Sequence, residues 1–173
     1  MDTNFVIMQQ YKAENAKPNP KSTINSYRSF GYNLSTAIAD IIDNSVSAYA
    51  DVIEIDFLWK GKDSVISILD NGKGMNLEEL IVAMTPGSKD PEDTRDEKDL
   101  GRFGMGLKTA SFSQCKKLTV LTKTKDSEVT GLQWDLNYIA NTNDWYALIP
   151  DFDEYKDEDG FLYIEFCEES TFG

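Results

Sequence analysis

Three short segments of this 173-residue chain carry residue types that could bind a ligand or activate one. The first covers residues 69–75, LDNGKGM, in which an aspartate is followed by two glycines at two-residue steps. Glycine permits a tight turn whose surface is lined by backbone, so the turn would present the carboxylate of Asp70 outward. Asp-Asn-Gly turns are common, and this one gains weight from the other two segments, which lie about thirty residues to either side.

The second segment is a helix that we predict to begin near Asn33 or Ser35 and to run to about Tyr49. Helical periodicity gives it one apolar and one polar face. The apolar face holds Leu34, Ile38, Ile41, Ile42, Val46 and Tyr49, and the polar face holds Thr36, Asp40, Asp43, Asn44 and Ser47. Solvated helix faces usually carry good helix formers such as Lys and Glu, and this face has none. Its composition favours a chemical role, the alternative being a face that hydrogen-bonds neighbouring loops.

The third segment, residues 101–110, places three glycines directly before a predicted helix. Backbone amides at a helix start, with no Cβ in the way, form a cradle suited to a polyphosphate. A glycine cluster alone is weak evidence for this. The spacing is not that of a P-loop, because no Gly-Lys-Ser/Thr ends it, and no βαβ unit surrounds it as a dinucleotide site requires.

Composition excludes several other classes of function. The chain has no histidine, and its two cysteines are far apart, which excludes histidine catalysis and argues against a zinc site. Its 30 acidic and 17 basic side chains give a net charge of −13, so a surface that binds a nucleic-acid backbone is not expected here. No apolar run approaches ~18 residues and no signal pattern opens the chain, which predicts a soluble, cytoplasmic protein.

The elements that must position these segments follow from the same patterns. Residues 77–84 are a predicted short helix, and residues 85–100 are a long unpatterned loop, which is typical of a functional lid or of disorder. The predicted strands cover residues 52–58, 65–69, 118–122, 131–136, 145–149 and 161–166, the first two joined as a hairpin. Early helices around mostly hairpin-joined strands predict an α+β two-layer sandwich.

Taken together, the three segments resemble the N, G1 and G2 boxes of the GHKL ATPases, a superfamily that takes in DNA gyrase B, the ninety-kilodalton heat-shock chaperones, histidine kinases and MutL. The residues concerned are ADIIDNS at 39–45, DNGKG at 70–74 and GRFGMGLK at 101–108. The resemblance covers about residues 22–173, leaving 1–21 as an N-terminal arm, and is strongest toward the MORC-like and bacterial chaperone-like branch. It implies a Bergerat-type fold, a mixed, mostly antiparallel sheet with helices on one face.

The resemblance also implies roles for particular residues. Asp70 matches the aspartate that accepts a hydrogen bond from the adenine amino group, and Asn44 matches the magnesium ligand, a suitable hard donor. Residues 85–100 match the lid that closes over bound nucleotide. The other residues expected to bind MgATP are Ser47, Gly72, Gly74, Met75, Gly87, Ser88, Gly101, Arg102, Phe103, Gly104, Met105, Gly106, Leu107 and Lys108.

One position departs from the family pattern. The residue four before the magnesium asparagine is usually a glutamate that orients and deprotonates the attacking water, and here it is Asp40. The carboxylate stays on the same helix face but is shorter by one methylene, ~1.5 Å, which catalysis that depends on geometry would notice. A slow ATPase or a slightly shifted helix is expected. The alternative is that Asp40 only supports the magnesium ion.

The end of the sequence carries a further expectation. Gly173 resembles the glycine of a Gly-Thr pair whose threonine supports the adenine-binding aspartate in the family. The resemblance thus implies a last strand and a transducer domain that residues 1–173 lack, with nucleotide binding retained better than hydrolysis.

For the full-length protein we expect MgATP hydrolysis to ADP and phosphate, with lid closure and nucleotide-dependent homodimerisation driving a partner or DNA-remodelling step. A histidine-kinase-type ATP-binding domain and a non-hydrolysing nucleotide sensor or interaction module stay open. The run of residues 43–51 before a strand favours the ATPase branches over the kinases.

Overall fold

The computed structural model describes residues 14, 16–29, 31, 33–88, 106–152 and 164–168, the last of these by backbone alone. Five helices, five strands and a short 3-10 turn form within these ranges. In chain order they are α1 (Pro20–Arg28), α2 (Leu34–Ser47), β1 (Ile53–Leu58), the 3-10 turn (Gly61–Asp63), β2 (Ser64–Asp70), α3 (Leu77–Met84), α4 (Gly106–Gln114), β3 (Lys117–Thr122), β4 (Thr130–Asp135), α5 (Leu136–Thr142) and β5 (Ile164–Glu168).

The strands form one sheet in the order β1-β2-β5-β3-β4, and every neighbouring pair in it is antiparallel. Two hairpins, β1-β2 and β3-β4, are joined by β5, which lies between them although it comes last in the chain. Leu148 adds an isolated bridge to Gln133 on β4. The predicted strand at 145–149 is therefore reduced to a single bridge.

The core lies between the helices and one face of this sheet. Alternate side chains of β2, β3 and β4 point into it, as the period of two for a half-buried strand requires. The sheet contributes Ile66, Ile68, Leu118, Val120, Leu132 and Trp134, and the helices contribute Ile24, Ile41, Leu80, Met84, Phe112, Leu136 and Ile139. The predicted α+β architecture with helices on one face is confirmed.

Helix α2 begins as predicted and buries a face that the prediction placed differently. Asn33 is its N-cap, and the Asn33 side chain accepts a hydrogen bond from the Thr36 amide at 2.8 Å. The buried residues are Ala37, Ile41 and Ser45, spaced by four. Val46 and Tyr49, predicted for the core face, are 50% and 57% exposed. Because α2 packs against α4, its buried face is rotated toward the polar stripe.

Two helices were not predicted, and each has a capping signal in the sequence. Asn19 caps α1, with Pro20 in its first turn, where proline is favoured. Asp135 caps α5 by accepting from the amides of Asn137 and Tyr138. Both helices are short, nine and seven residues, so periodicity alone does not reveal them. Among the helices described, none has the length and hydropathy to cross a membrane.

Candidate functional site

Asp70 ends strand β2, and both oxygens of its carboxylate accept hydrogen bonds from the protein. Oδ2 accepts from the Ser45 hydroxyl at 2.7 Å, and Oδ1 accepts from the backbone amide of Gly72 at 2.8 Å. Ser45 is 2% exposed, whereas Asp70 is half-buried. A carboxylate can accept about four hydrogen bonds, so the group is fixed in position and keeps acceptor capacity for a ligand.

The turn that follows Asp70 is attached to the end of α2 and to the start of β1. The amide of Lys73 donates to the Ala48 carbonyl at 2.9 Å. The side-chain oxygen of Asn71 accepts from the Val52 amide at 3.0 Å, and the Asn71 amide donates back to the Val52 carbonyl at 3.3 Å. A Cβ on Gly72 would lie 2.8 Å from that of Ala48, so the backbone approaches α2 as closely as glycine allows.

Strand β3 holds the other side of the same turn. Gly74 has φ of 65°, and a Cβ at this position would overlap the backbone carbonyl of Lys123. The amide of Met75 donates to the hydroxyl of Thr122 at 2.9 Å, and Thr122 is buried. We call residues 70–75 the adenine turn, after the role that the resemblance implies. It is clamped between α2 and β3.

Helix α3 starts directly after the adenine turn with a capping box. The Asn76 side chain accepts from the Glu79 amide at 3.0 Å, and the Glu79 carboxylate accepts from the Asn76 amide at 2.9 Å. The direction in which the chain leaves the turn is thereby fixed.

The polar face of α2 lies beside the adenine turn, because Asn44 immediately precedes Ser45. Asn44 is exposed, while Asp40, one turn earlier, and Ser47 are half-buried. An exposed amide oxygen fits a magnesium ion that takes its other ligands from phosphate oxygens and water. Within the part of the chain that the structure describes, no group of three or more His, Cys, Asp and Glu residues is placed to hold a metal.

Helix α4 begins at Gly106 and packs against α2. Leu107 is partly buried and packs against the core. Lys108 is only 2% exposed, and its ammonium donates to the carbonyls of Ala83 and Thr85 at 2.8 Å each. In this arrangement the Lys108 ammonium lies at the C-terminal end of α3.

Of the remaining residues predicted to bind nucleotide, the structure describes only some. Gly87 has φ of 70° with open space around it, and Ser88 is half-buried. Five more predicted contacts fall outside the described residues: Gly101, Arg102, Phe103, Gly104 and Met105.

Two residues of the site were missed from the sequence, Ser45 and Thr122. Both are small polar residues at core positions, and buried polar groups are normally hydrogen-bonded, which is the signal that could have identified them. The sequence also predicts that Asp70 lacks the family's usual threonine support. The structure gives its carboxylate two other partners, Ser45 and Gly72.

Residues 32–170 match the family described as histidine kinase-, DNA gyrase B-, and HSP90-like ATPase. The match covers most of the chain, which therefore belongs to this family of ATPases, the GHKL superfamily, and the predicted membership is confirmed. Family membership supports ATP binding, and the antiparallel sheet with helices on one face agrees with the fold.

Individual relatives point to two branches of the superfamily. The chain is 32% identical over 121 residues to the ATPase morc-1 of Caenorhabditis elegans, covering 68% of this chain and 14% of that protein. It is 30% identical over 114 residues to the DNA mismatch repair protein MutL of Dictyoglomus turgidum, covering 64% of this chain and 19% of that protein. MutL of Aeromonas salmonicida is 34% identical over 96 residues, covering 53% and 15%. The chain thus spans at most about a fifth of these relatives' length.

Proposed function

We propose that this chain is the nucleotide-binding part of an ATPase, which binds MgATP and, within the full-length protein, hydrolyses it to ADP and phosphate. The observation that carries the proposal is the carboxylate of Asp70, held by Ser45 and Gly72 in a turn clamped between α2 and β3. The family to which the chain belongs supports it.

Asp70 is proposed to select adenine. The adenine amino group is a donor, and a carboxylate accepts hydrogen bonds but donates none. Guanine carries an acceptor oxygen at the same position, which would face the carboxylate without a proton between them, so GTP is disfavoured. Gly72, Gly74 and Met75 shape the adjacent backbone surface against which the base lies.

The polar face of α2 is proposed to serve the phosphates. Asn44 would be the protein ligand of Mg²⁺, which when bound neutralises charge on the phosphate oxygens. Ser47 lies on the same face. At the start of α4, backbone amides without intrahelical partners would receive phosphate oxygens from the other side, together with the predicted contacts at residues 101–107.

Asp40 is proposed to orient the attacking water and to accept its proton. It lies one turn before Asn44 on the same face, which is the spacing that α2 needs to bring both groups to one ligand. A carboxylate one methylene shorter than the usual glutamate holds that water less well, so slow turnover is expected.

The wider role rests on the relatives. One is named an ATPase and others are named DNA mismatch repair proteins, which supports hydrolysis and a link to DNA. We propose that nucleotide closure of the lid at 85–100 brings two copies together and drives a partner or DNA-remodelling step in the cytoplasm. We assign the ATP-binding domain to residues 22–173 and expect a transducer domain to follow it. Because the chain carries a net charge of −13, we expect any contact with DNA to lie outside the ATP-binding domain.

Titration calorimetry with ATP and with GTP, each with magnesium, tests the binding step. We expect ATP to bind and GTP to bind at least about tenfold more weakly. The Asp70 carboxylate makes a hydrogen bond with adenine, whereas with guanine it faces a repulsive oxygen. Circular dichroism on the same sample verifies folding. A folded protein that binds neither nucleotide would contradict the proposal.

Phosphate release by the full-length protein tests hydrolysis. Asp40→Ala should lower the rate strongly, and Asp43→Ala, which removes an exposed carboxylate from the same helix, should not. Equal rates for Asp40→Ala and the unaltered protein would remove Asp40 from the mechanism. Transfer of the phosphate to a histidine of the protein would favour the kinase alternative, and ATP binding without turnover would favour a sensor.

A further inference from the structure

The C-terminal end of helix α3 has every one of its last four carbonyls hydrogen-bonded, two of them by side chains from distant elements. The Ile81 and Val82 carbonyls accept from the amide of Thr85 at 2.9 and 3.3 Å. The Ala83 carbonyl accepts from Lys108. The Met84 carbonyl accepts from another side chain, described below. Helix ends normally leave these carbonyls without an intrahelical partner, so this end is unusually well fixed.

Lys108 supplies a charge to this helix end from the first turn of α4. Its ammonium donates to the Ala83 and Thr85 carbonyls, both at 2.8 Å, in a position that is 2% exposed. A cation beside the last carbonyls of a helix is favoured by the helix dipole, and a buried charge is tolerated where it is hydrogen-bonded. The Lys108 ammonium therefore stabilises the C-terminal end of α3, and the carbonyls there satisfy the buried charge.

Trp134 of β4 supplies the second side chain. Its indole N–H donates to the Met84 carbonyl at 3.0 Å, and the residue is 4% exposed. The ring packs edge-on against Phe112 of α4, with centroids 6.3 Å apart. Lys108, Trp134 and the carbonyls of residues 83–85 together are called the α3 latch below. The latch joins α3, α4 and β4.

Helix α3 therefore connects the two halves of the proposed nucleotide site. Its N-terminal end follows the adenine turn through the Asn76 capping box, and its C-terminal end is bound to the start of α4 by the latch. Eight residues of helix span about 12 Å. A short capped helix of this kind transmits position from one end to the other with little flexibility.

We propose that Lys108 is a positioning residue that fixes the start of α4 relative to the adenine turn through α3, and that it is not itself a ligand of the phosphates. The inference rests on the proposed nucleotide function. It assigns the base and the phosphates to two surfaces whose separation the latch sets. Loss of the latch should then lower the affinity for ATP, which carries phosphates, and leave the affinity for adenosine, which carries only the base and ribose, nearly unchanged.

Titration of ATP and of adenosine on the same variants tests this, because adenosine carries the base without phosphates. Lys108→Met keeps the apolar stem and removes the donors, and we expect the ratio of ATP to adenosine affinity to fall about tenfold. Trp134→Phe removes the indole donor and part of the ring but leaves the Lys108 ammonium in place, and it should lower the same ratio about threefold. Trp145→Phe is the matched control, a neighbouring partly buried indole that should leave the ratio unchanged.

The possible outcomes separate the interpretations. A ratio lowered by Lys108→Met and unchanged by Trp134→Phe would make Lys108 a direct phosphate ligand and overturn the proposal. A ratio unchanged in both variants, even with a lower melting temperature, would leave the latch a purely structural feature and also overturn it. If Lys108→Met does not fold, Trp134→Phe and Lys108→Arg test the proposal instead. Trp134→Phe must lower the ratio of ATP to adenosine affinity, and Lys108→Arg must retain most of the ratio of the unaltered protein. Absence of ATP binding by the unaltered protein is a separate result, which contradicts the proposed function itself.

Discussion

The adenine turn and the polar face of α2 lie side by side, yet they are built in different ways. In the turn, the Asp70 carboxylate and the backbone around it are bound to α2 on one side and to β3 on the other. On the α2 face, Asn44 and Asp43 are exposed and Asp40 is half-buried. One region is fixed by the fold, whereas the other presents Asn44 and Asp43 toward solvent.

The difference agrees with the step that is proposed for each region. A surface that selects a base benefits from groups held in place before the ligand arrives, since less freedom is then lost on binding. Groups that meet an ion and a water molecule must stay accessible to both. Substitutions that remove packing or hydrogen bonds of the adenine turn should therefore affect folding and binding together, whereas substitutions of the exposed residues on the α2 face should affect ligand chemistry without affecting folding.

The largest effect is expected from Gly74→Ala. The new Cβ would overlap the Lys123 carbonyl, at a φ of 65° that side chains rarely adopt, and backbone cannot easily move away. We expect the free energy of unfolding to fall by about 3 kcal/mol, measured by denaturant titration.

Gly61→Ala is the matched control, because Gly61 has a φ of 62° and open space around it. It should lose only about 1 kcal/mol. Equal losses at the two positions would show that the approach of β3 to the turn is unimportant.

Asn44→Ala should alter magnesium dependence and leave stability alone. An exposed side chain on a helix contributes little to folding, so the free energy of unfolding should change by less than about 0.5 kcal/mol. The increase in ATP affinity on adding magnesium should shrink about tenfold, in calorimetric titrations with and without the ion. Asp43→Ala should keep the increase. A variant that retains full magnesium dependence would contradict the role of Asn44.

Ser45→Ala removes one donor to Asp70 and should have a smaller effect on both properties. The lost hydrogen bond is worth about 1 kcal/mol, which corresponds to about fivefold in ATP affinity. Ser26→Ala serves as control, since the exposed Ser26 donates to the Ser22 carbonyl on α1. ATP affinity unchanged in Ser45→Ala would mean that Gly72 alone positions the carboxylate.

The smallest effect on binding is expected from Asp40→Glu, which restores the side-chain length usual in the family. ATP affinity should stay within about twofold, while phosphate release by the full-length protein should rise about threefold, because the carboxylate reaches the water more closely. A slower enzyme would show that α2 has already adjusted to the shorter side chain.

Much of this fold was predictable from local pattern. The sequence predicts the helix at 77–84 and the β1-β2 hairpin, and it offers Asn33 as a possible cap for α2. What could not be predicted depends on tertiary packing. Val46 is exposed because α4 determines which side of α2 is covered, and the position of β5 between the two hairpins is a non-local pairing.

The site divides in the same way. Asp70 and Gly74 were proposed from the DNGKG motif together with the other two segments and the family resemblance, and both lie in the clamped turn. Ser45, Thr122 and the burial of Lys108 depend on contacts between residues 23 or more positions apart, which spacing along the chain does not reveal.

The central claim is that Asp70 reads adenine, and Asp70→Asn tests it most directly. The change keeps the size of the side chain and an oxygen for the Gly72 amide, and it places an amide donor where the adenine amino group must donate. Calorimetry should show ATP affinity about 100-fold lower, with the melting temperature little changed. ATP affinity equal to that of the unaltered protein would contradict the account.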